Sequence, residues 1–140
     1  MNLAFIGGGV MAEAFLKGLL ARGQATPQDI AVSDVEAGRR EFLARSYRVR
    51  ALADNQEAAS GAGTIVLAIK PQNLPEVMAD LKEGLRPEQL VVSIVAGASL
   101  ATLTGGLKHE AVVRAMPNTP GQIGQGITLF MATPTVTPHQ

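Results

Sequence analysis

The chain opens on an apolar run that breaks into glycines. Asn2 to Ile6 (N-L-A-F-I) leads directly into Gly7-Gly8-Gly9-Val10-Met11-Ala12. Strand, G-x-G-x-x-A turn and helix start, in that order, confine the chain to folds in which a strand feeds a helix through a tight turn. Gly7 permits the turn, Gly9 has no Cβ and lets an anion approach the backbone, and Ala12 lets the helix sit close to the strand. The helix N-terminus adds N–H donors and the positive end of its dipole. The predicted unit is therefore an anion seat suited to a pyrophosphate. A bare glycine motif is a weak signal, and alanine stands here at its third glycine position. The flanking strand and helix supply the context that it needs.

The same alternation continues along the chain. Val10 to Ala21 reads as a helix with Val10, Ala14, Phe15 and Leu19 inward and Gly23 as its stop. Ile30 to Asp34 reads as a second strand, residues 36–46 as a charged helix, and Tyr47 to Leu52 as a short third strand. Asp54-Asn55-Gln56-Glu57 is a capping pattern that opens a short helix. Thr64 to Ile69 (T-I-V-L-A-I) is a continuous apolar run of the kind buried on both faces of a parallel sheet. Leu74, Val77, Met78, Leu81 and Leu85 fall at helical spacing ahead of Pro87. Leu90 to Val95 is a further buried strand, and Ser99 caps a helix carrying Leu100, Leu103 and Leu107. Val112 to Met116 reads as a sixth strand and Ile127 to Met131 as a seventh, antiparallel at the sheet edge. The pattern predicts an α/β fold, a Rossmann-type, doubly wound, mostly parallel sheet with right-handed crossovers. It forms a single domain over residues 1–132, with the Thr- and Pro-rich residues 133–140 as a linker or frayed tail.

Composition excludes several classes of function. A length of 140 residues suits one domain with one sizeable core. Lys+Arg and Asp+Glu balance at 12 each, so no basic face is implied and nucleic acid is not expected as a partner. Cysteine is absent, which removes disulfides, thiolate zinc sites and cysteine nucleophiles. No charged leader or membrane-length apolar run occurs, so a cytoplasmic protein without membrane contact is expected. No metal-ligand motif, carboxylate pair or nucleophile elbow is present. His109, between Lys108 and Glu110, is expected in a solvated turn, and His139 in the tail. Met11, Met78 and Met116 read as core packing.

In a doubly wound sheet, ligands bind at the carboxyl ends of the strands. The polar and glycine-rich loops all fall there: Gly7 to Ala12, Ser33-Asp34, Lys70-Pro71-Gln72, Ala96-Gly97 and Pro117 to Gly121. Asp34 can accept hydrogen bonds from the ribose hydroxyls of NAD, or cap the following helix. It would repel a 2′-phosphate, which Arg39 or Arg40 could neutralise, so NADPH and NADH both remain open. Pro71 biases Lys70 toward an extended conformation, which makes either a rigid cofactor loop or a plain strand-ending turn. Pro117 and Pro120 bracket Asn118 and Thr119, whose side chains can hydrogen-bond a small polar ligand.

Four segments together resemble pyrroline-5-carboxylate reductase: I-G-G-G-V-M-A (Ile6 to Ala12), L-A-I-K-P-Q (Leu67 to Gln72), V-V-S-I-V-A-G (Val91 to Gly97) and V-V-R-A-M-P-N-T-P (Val112 to Pro120). The resemblance runs from Met1 to about Met131. It implies hydride transfer from NADPH or NADH to the C=N carbon of the cyclic imine 1-pyrroline-5-carboxylate, the final step of proline synthesis. By resemblance, Ile6, Gly7, Gly8, Gly9, Val10 and Met11 hold the pyrophosphate. Asn55 lies at the adenosine ribose or its phosphate, and Ala68, Ile69, Lys70, Pro71, Ala96 and Gly97 line the dinucleotide. Asn118, Thr119 and Pro120 lie near the nicotinamide and the substrate. Ser33-Asp34-Val35-Glu36 departs from the residues that many members use for a 2′-phosphate. Members continue into a helical half that forms a homodimer or larger assembly and binds the substrate carboxylate. Nothing here matches that half, so no catalytic residue is expected in this chain. The alternative is a stand-alone dinucleotide-binding or sensing module. The β-hydroxyacid dehydrogenases share the glycine turn but not this pair of proline loops.

Overall fold

In a computed structural model, which describes residues 2–118 and 126–140, the chain forms a seven-stranded sheet between two layers of helices. The strands are β1 (Leu3–Ile6), β2 (Ile30–Ser33), β3 (Arg50–Leu52), β4 (Thr64–Leu67), β5 (Leu90–Ser93), β6 (Val112–Pro117) and β7 (Thr128–Ala132). The helices are α1 (Val10–Ala21), α2 (Ala37–Tyr47), α3 (Asn55–Ser60), α4 (Leu74–Leu81) and α5 (Leu100–Leu107). The spatial order is β3-β2-β1-β4-β5-β6-β7. Every pairing is parallel except β6 with β7, which is antiparallel as the sequence predicts. The order reverses between β1 and β4, so this is the switch point of a doubly wound sheet.

The pleat divides the core in two. Along β1, Leu3 and Phe5 enter one layer, with Ala12 and Leu16 of α1, Leu43 of α2, and Ile30 and Val32 of β2. Ala4 and Ile6 enter the other, with Ile65, Leu67 and Val91 of the sheet and Leu81, Leu103 and Leu107 of α4 and α5. All four β1 residues are buried, the signature of a strand covered on both faces. Asp54 and Ser99 cap α3 and α5, accepting from the amides of Glu57 and Thr102.

Several local expectations are corrected. The buried stripe of α1 is Ala12 and Leu16, with Phe15, Leu19 and Leu20 packed at its margin, whereas Val10 is 64% exposed. The small Ala12 lets the helix sit close to the sheet, so the stripe centres on Ala12 and Leu16. The third strand is only Arg50–Leu52, because α2 runs on to Tyr47 and Arg48 takes a left-handed conformation (φ 60°) before the chain turns. Leu85 lies beyond the end of α4 but still packs against the core.

His109 is not in a solvated turn: it is buried, and its Nε2 lies 2.7 Å from the carbonyl of Gln89. Lys108 ends α5 with φ 49°, which swings the next residue inward. Met78 is buried as expected, but Met116 is 43% exposed. The segment after β7 turns back: the Thr133 and Thr135 hydroxyls both donate to the carbonyl of Glu110. Strand β7 itself carries Leu129, Phe130 and Met131, all largely exposed.

Candidate functional site: the carboxyl edge of the sheet

At the end of β1 the three glycines do three different jobs. Gly7 has φ +93°, and its amide donates to the carbonyl of Ser33 at 2.9 Å. A Cβ there would lie 2.6 Å from the carbonyl oxygen of Ala68 and 2.9 Å from Ile69 Cγ2. The turn is thus pressed against the end of β4, which brings Ala68 and Ile69 beside it. Gly8 lies under α2, where a Cβ would come 2.6 Å from Leu43 Cδ1. Gly9 is the N-cap of α1, has no side-chain cap, and would place a Cβ with nothing within 4 Å among the other described residues outside its own turn. Val10 is exposed beside it and Met11 half-buried on the first turn. A helix N-terminus with an open, side-chain-free approach fits a phosphate group. Ile6 is buried beneath the turn.

Asp34 is committed to the turn. Its Oδ2 accepts from the Gly8 amide at 2.8 Å and its Oδ1 from the Glu36 amide at 2.9 Å. It therefore fixes the glycine turn and the entry to α2 at once. Ser33 Oγ donates to Asn55 Oδ1 at 2.7 Å, and Asn55 Nδ2 donates to Asp80 Oδ2 at 3.0 Å. Asn55 thereby joins the ends of β2, α3 and α4 next to Asp34. Lys70 is exposed and extended (φ −68°, ψ 145°), as a residue before proline should be, and Pro71 opens a 3-10 turn over Pro71–Asn73. Ala96 and Gly97 are exposed after β5, with Gly97 at φ +75°. Asn118 is exposed, and its Oδ1 accepts from the Ile127 amide at 3.0 Å. Thr119 and Pro120 lie outside the described residues. The structure thus brings the loops that follow β1, β2, β4 and β5 to one edge, with Asn118 following β6 there. Among the described residues no group of acidic, histidine or cysteine side chains is placed to hold a metal ion. No helix there is long and apolar enough to cross a membrane.

Sequence reasoning missed a cluster behind the turn. Arg39 of α2 donates from Nε to the Gly8 carbonyl, from Nη2 to the Gly9 carbonyl at 3.3 Å, and from Nη2 to Glu13 Oε2 at 2.6 Å. Tyr47 at the end of α2 donates its hydroxyl to Glu13 Oε1. Arg40 donates instead to the carbonyls of Asp34 and Val35. The Tyr47 hydrogen bond, with that of Arg39 and its charge, holds the Glu13 carboxyl below the ordinary glutamate range against the opposing effect of burial. Burial, followed by the hydrogen bond to Glu13, pushes the Tyr47 phenol up to about 12. The available signal was a Glu in the first turn of the helix that must receive an anion.

Comparison with known proteins places this geometry. Residues 2–97 match the family described as NADP oxidoreductase coenzyme F420-dependent. The chain belongs to that family. Over its whole length it is 45% identical to a pyrroline-5-carboxylate reductase of Synechocystis sp., of which it covers 52%. Among solved structures, a Coxiella burnetii pyrroline-5-carboxylate reductase superposes with a TM-score of 0.93 at 34% identity, covering 99% of this chain and 52% of that one. A Plasmodium falciparum pyrroline carboxylate reductase with NADP bound shares the fold, with a TM-score of 0.86 at 24% identity over 99% of this chain and 50% of that one. The chain spans about half the length of the curated relatives it matches, their N-terminal half.

The glycine geometry predicts an ordered mutational series in urea unfolding. Gly7→Ala should cost about 3 kcal/mol, since it combines a left-handed φ with a backbone clash. Gly8→Ala should cost roughly 1–3 kcal/mol, because Leu43 has to shift. Gly9→Ala should stay within about 0.5 kcal/mol.

The single tyrosine of the chain makes the Glu13 cluster directly observable. A phenol raised by folding contributes stability that is fully present below its unfolded value near 10 and lost as pH rises through about 12. A carboxyl lowered by folding contributes stability present above the ordinary glutamate range and lost as pH falls through its depressed value. Alkaline titration of phenolate absorbance should give a midpoint near 12 in the native chain, and Glu13→Gln should move it toward 10. A native midpoint already at 10 would contradict the contact.

Proposed function

We propose that this chain is the dinucleotide-binding half of a pyrroline-5-carboxylate reductase, working in the cytoplasm on the small cyclic imine 1-pyrroline-5-carboxylate. Residues 1–132 form the binding unit and 133–140 a linker or tail, whose start folds back onto Glu110. The reading rests on one observation above others: the N-terminus of α1 has no side-chain cap at Gly9, and no other described residue outside that turn comes within 4 Å of a would-be Cβ there. In this reading the pyrophosphate of NADPH or NADH lies against Gly7 to Met11, with Ile6 beneath. Asp34 and Asn55 border the adenosine ribose, and Ala68, Ile69, Lys70, Pro71, Ala96 and Gly97 line the course of the dinucleotide. Asn118, Thr119 and Pro120 face the nicotinamide end. The bound cofactor supplies the hydride. What the chain supplies is position, and near-attack positioning is worth roughly 7–11 kcal/mol. The rest of that positioning, and assembly into a homodimer or larger oligomer, belong to the half that the relatives carry beyond the matched region.

Binding is tested by calorimetric titration of the chain with NADPH and NADH. Weak binding of at least one is expected, and no heat from either at millimolar concentration would overturn the reading. Gly9→Val should abolish that binding while leaving the circular dichroism spectrum unchanged, because its branched side chain fills the anion approach.

Turnover separates the half-enzyme from the complete one. With 1-pyrroline-5-carboxylate and NADPH, the 140-residue chain should oxidise the cofactor at a negligible rate. A chain extended by the helical half of a close relative should be active. Robust turnover by the short chain would place the active site elsewhere.

A further inference from the structure

The seat of the anion contains a charge that opposes it. Glu13 lies in the first turn of α1, at the end where an incoming pyrophosphate would arrive. An acidic side chain there suits the helix dipole but repels a second anion. Arg39 answers this from the neighbouring helix. One guanidinium binds the Glu13 carboxylate at 2.6 Å and reaches the carbonyls of both Gly8 and Gly9. Its carbon lies 5.1 Å from the centroid of the Phe42 ring, and its side chain is only 26% exposed. Nε and Nη2, three of the five N–H donors, are thus engaged inside the protein, and the ring holds the group in place, so turning the guanidinium onto a 2′-phosphate would break these contacts.

We infer that Arg39 is the positioning residue of the glycine turn. It cancels the charge of Glu13 at the α1 N-terminus and holds the Gly8 and Gly9 peptides, and it is not a ligand for a 2′-phosphate. The inference rests on the proposal that this turn seats a pyrophosphate. It makes Arg39 serve NADH and NADPH alike, through Glu13 and the turn.

The test compares the full chain with Arg39→Ala, Glu13→Gln and the double variant, titrating each with NADH and with NADPH. Arg39→Ala should weaken both cofactors by the same factor, about tenfold, because a charge-assisted contact and its compensation are lost together. Adding Glu13→Gln should restore most of that loss, since no uncompensated carboxylate remains. A loss confined to NADPH would make Arg39 a phosphate ligand and overturn the inference. Unchanged affinity, or an equal loss without rescue by Glu13→Gln, would also overturn it.

A ligand-free readout separates this from failure of the pyrophosphate reading. Amide hydrogen exchange over residues 8–13 should be faster in Arg39→Ala than in the parent chain, whether or not either cofactor binds, and equal exchange would overturn the inference. Arg39→Lys is the fold-safe version, as it keeps the charge and loses the fork. It should hold affinity for both cofactors within about threefold while exchange in the turn stays fast. Slow exchange in that variant would count against the inference.

Discussion

The approach of Gly7 to the backbone of Ala68 is the contact on which the rest of the molecule depends. Only a residue without a side chain can stand where a Cβ would be 2.6 Å from a carbonyl oxygen. That closeness lets the chain leave β1 beside the end of β4, at the point where the strand order reverses. Everything else at the carboxyl edge is arranged around it. Asp34 holds the next peptide, Leu43 covers it, and Ala12 carries α1 down onto the sheet. The site is therefore made chiefly from backbone, and the side chains around it keep that backbone in place.

This construction explains why the fold was so legible in the sequence. Runs such as T-I-V-L-A-I and L-V-V-S-I-V read as strands because they are short, rich in β-branched residues and bounded by glycine or proline, and both lie at the centre of the sheet. The antiparallel placement of the last strand was legible too. What failed were readings that depend on rotation or long-range contact. On α1, Phe15 and Leu19 pack against the core as the spacing predicts, but the fully buried residues are Ala12 and Leu16, and Val10 is exposed at the helix start. His109 was misread because its charged neighbours say nothing about a left-handed Lys108. The loops of the site could be ordered from the sequence, but the assignment of Asp34 could not. Both its oxygens are engaged by backbone amides that only the folded turn brings near.

The Glu13–Arg39–Tyr47 cluster marks the same limit. Its members are separated by 26 and 34 residues, and no spacing rule connects them. From the sequence, Arg39 reads as a possible partner for a 2′-phosphate and Tyr47 as the start of a strand, and nothing singles out Glu13. Their meaning comes from the crossover that lays α2 alongside α1. Stability and ligand chemistry share residues here, since the network that joins the two helices also sets the charge felt at the turn.

Strand β7 has a consequence of a different kind. Thr128–Ala132 carries no charge and no proline, its apolar side chains are exposed, and among the described residues it pairs only with β6. Such an edge lacks the features by which sheets discourage further strands from adding to them. At the opposite margin β3 is only three residues long and begins with Arg50, both of which discourage pairing. A further strand, from a second copy or another chain, would accordingly add at the five residues of β7 more readily than at β3.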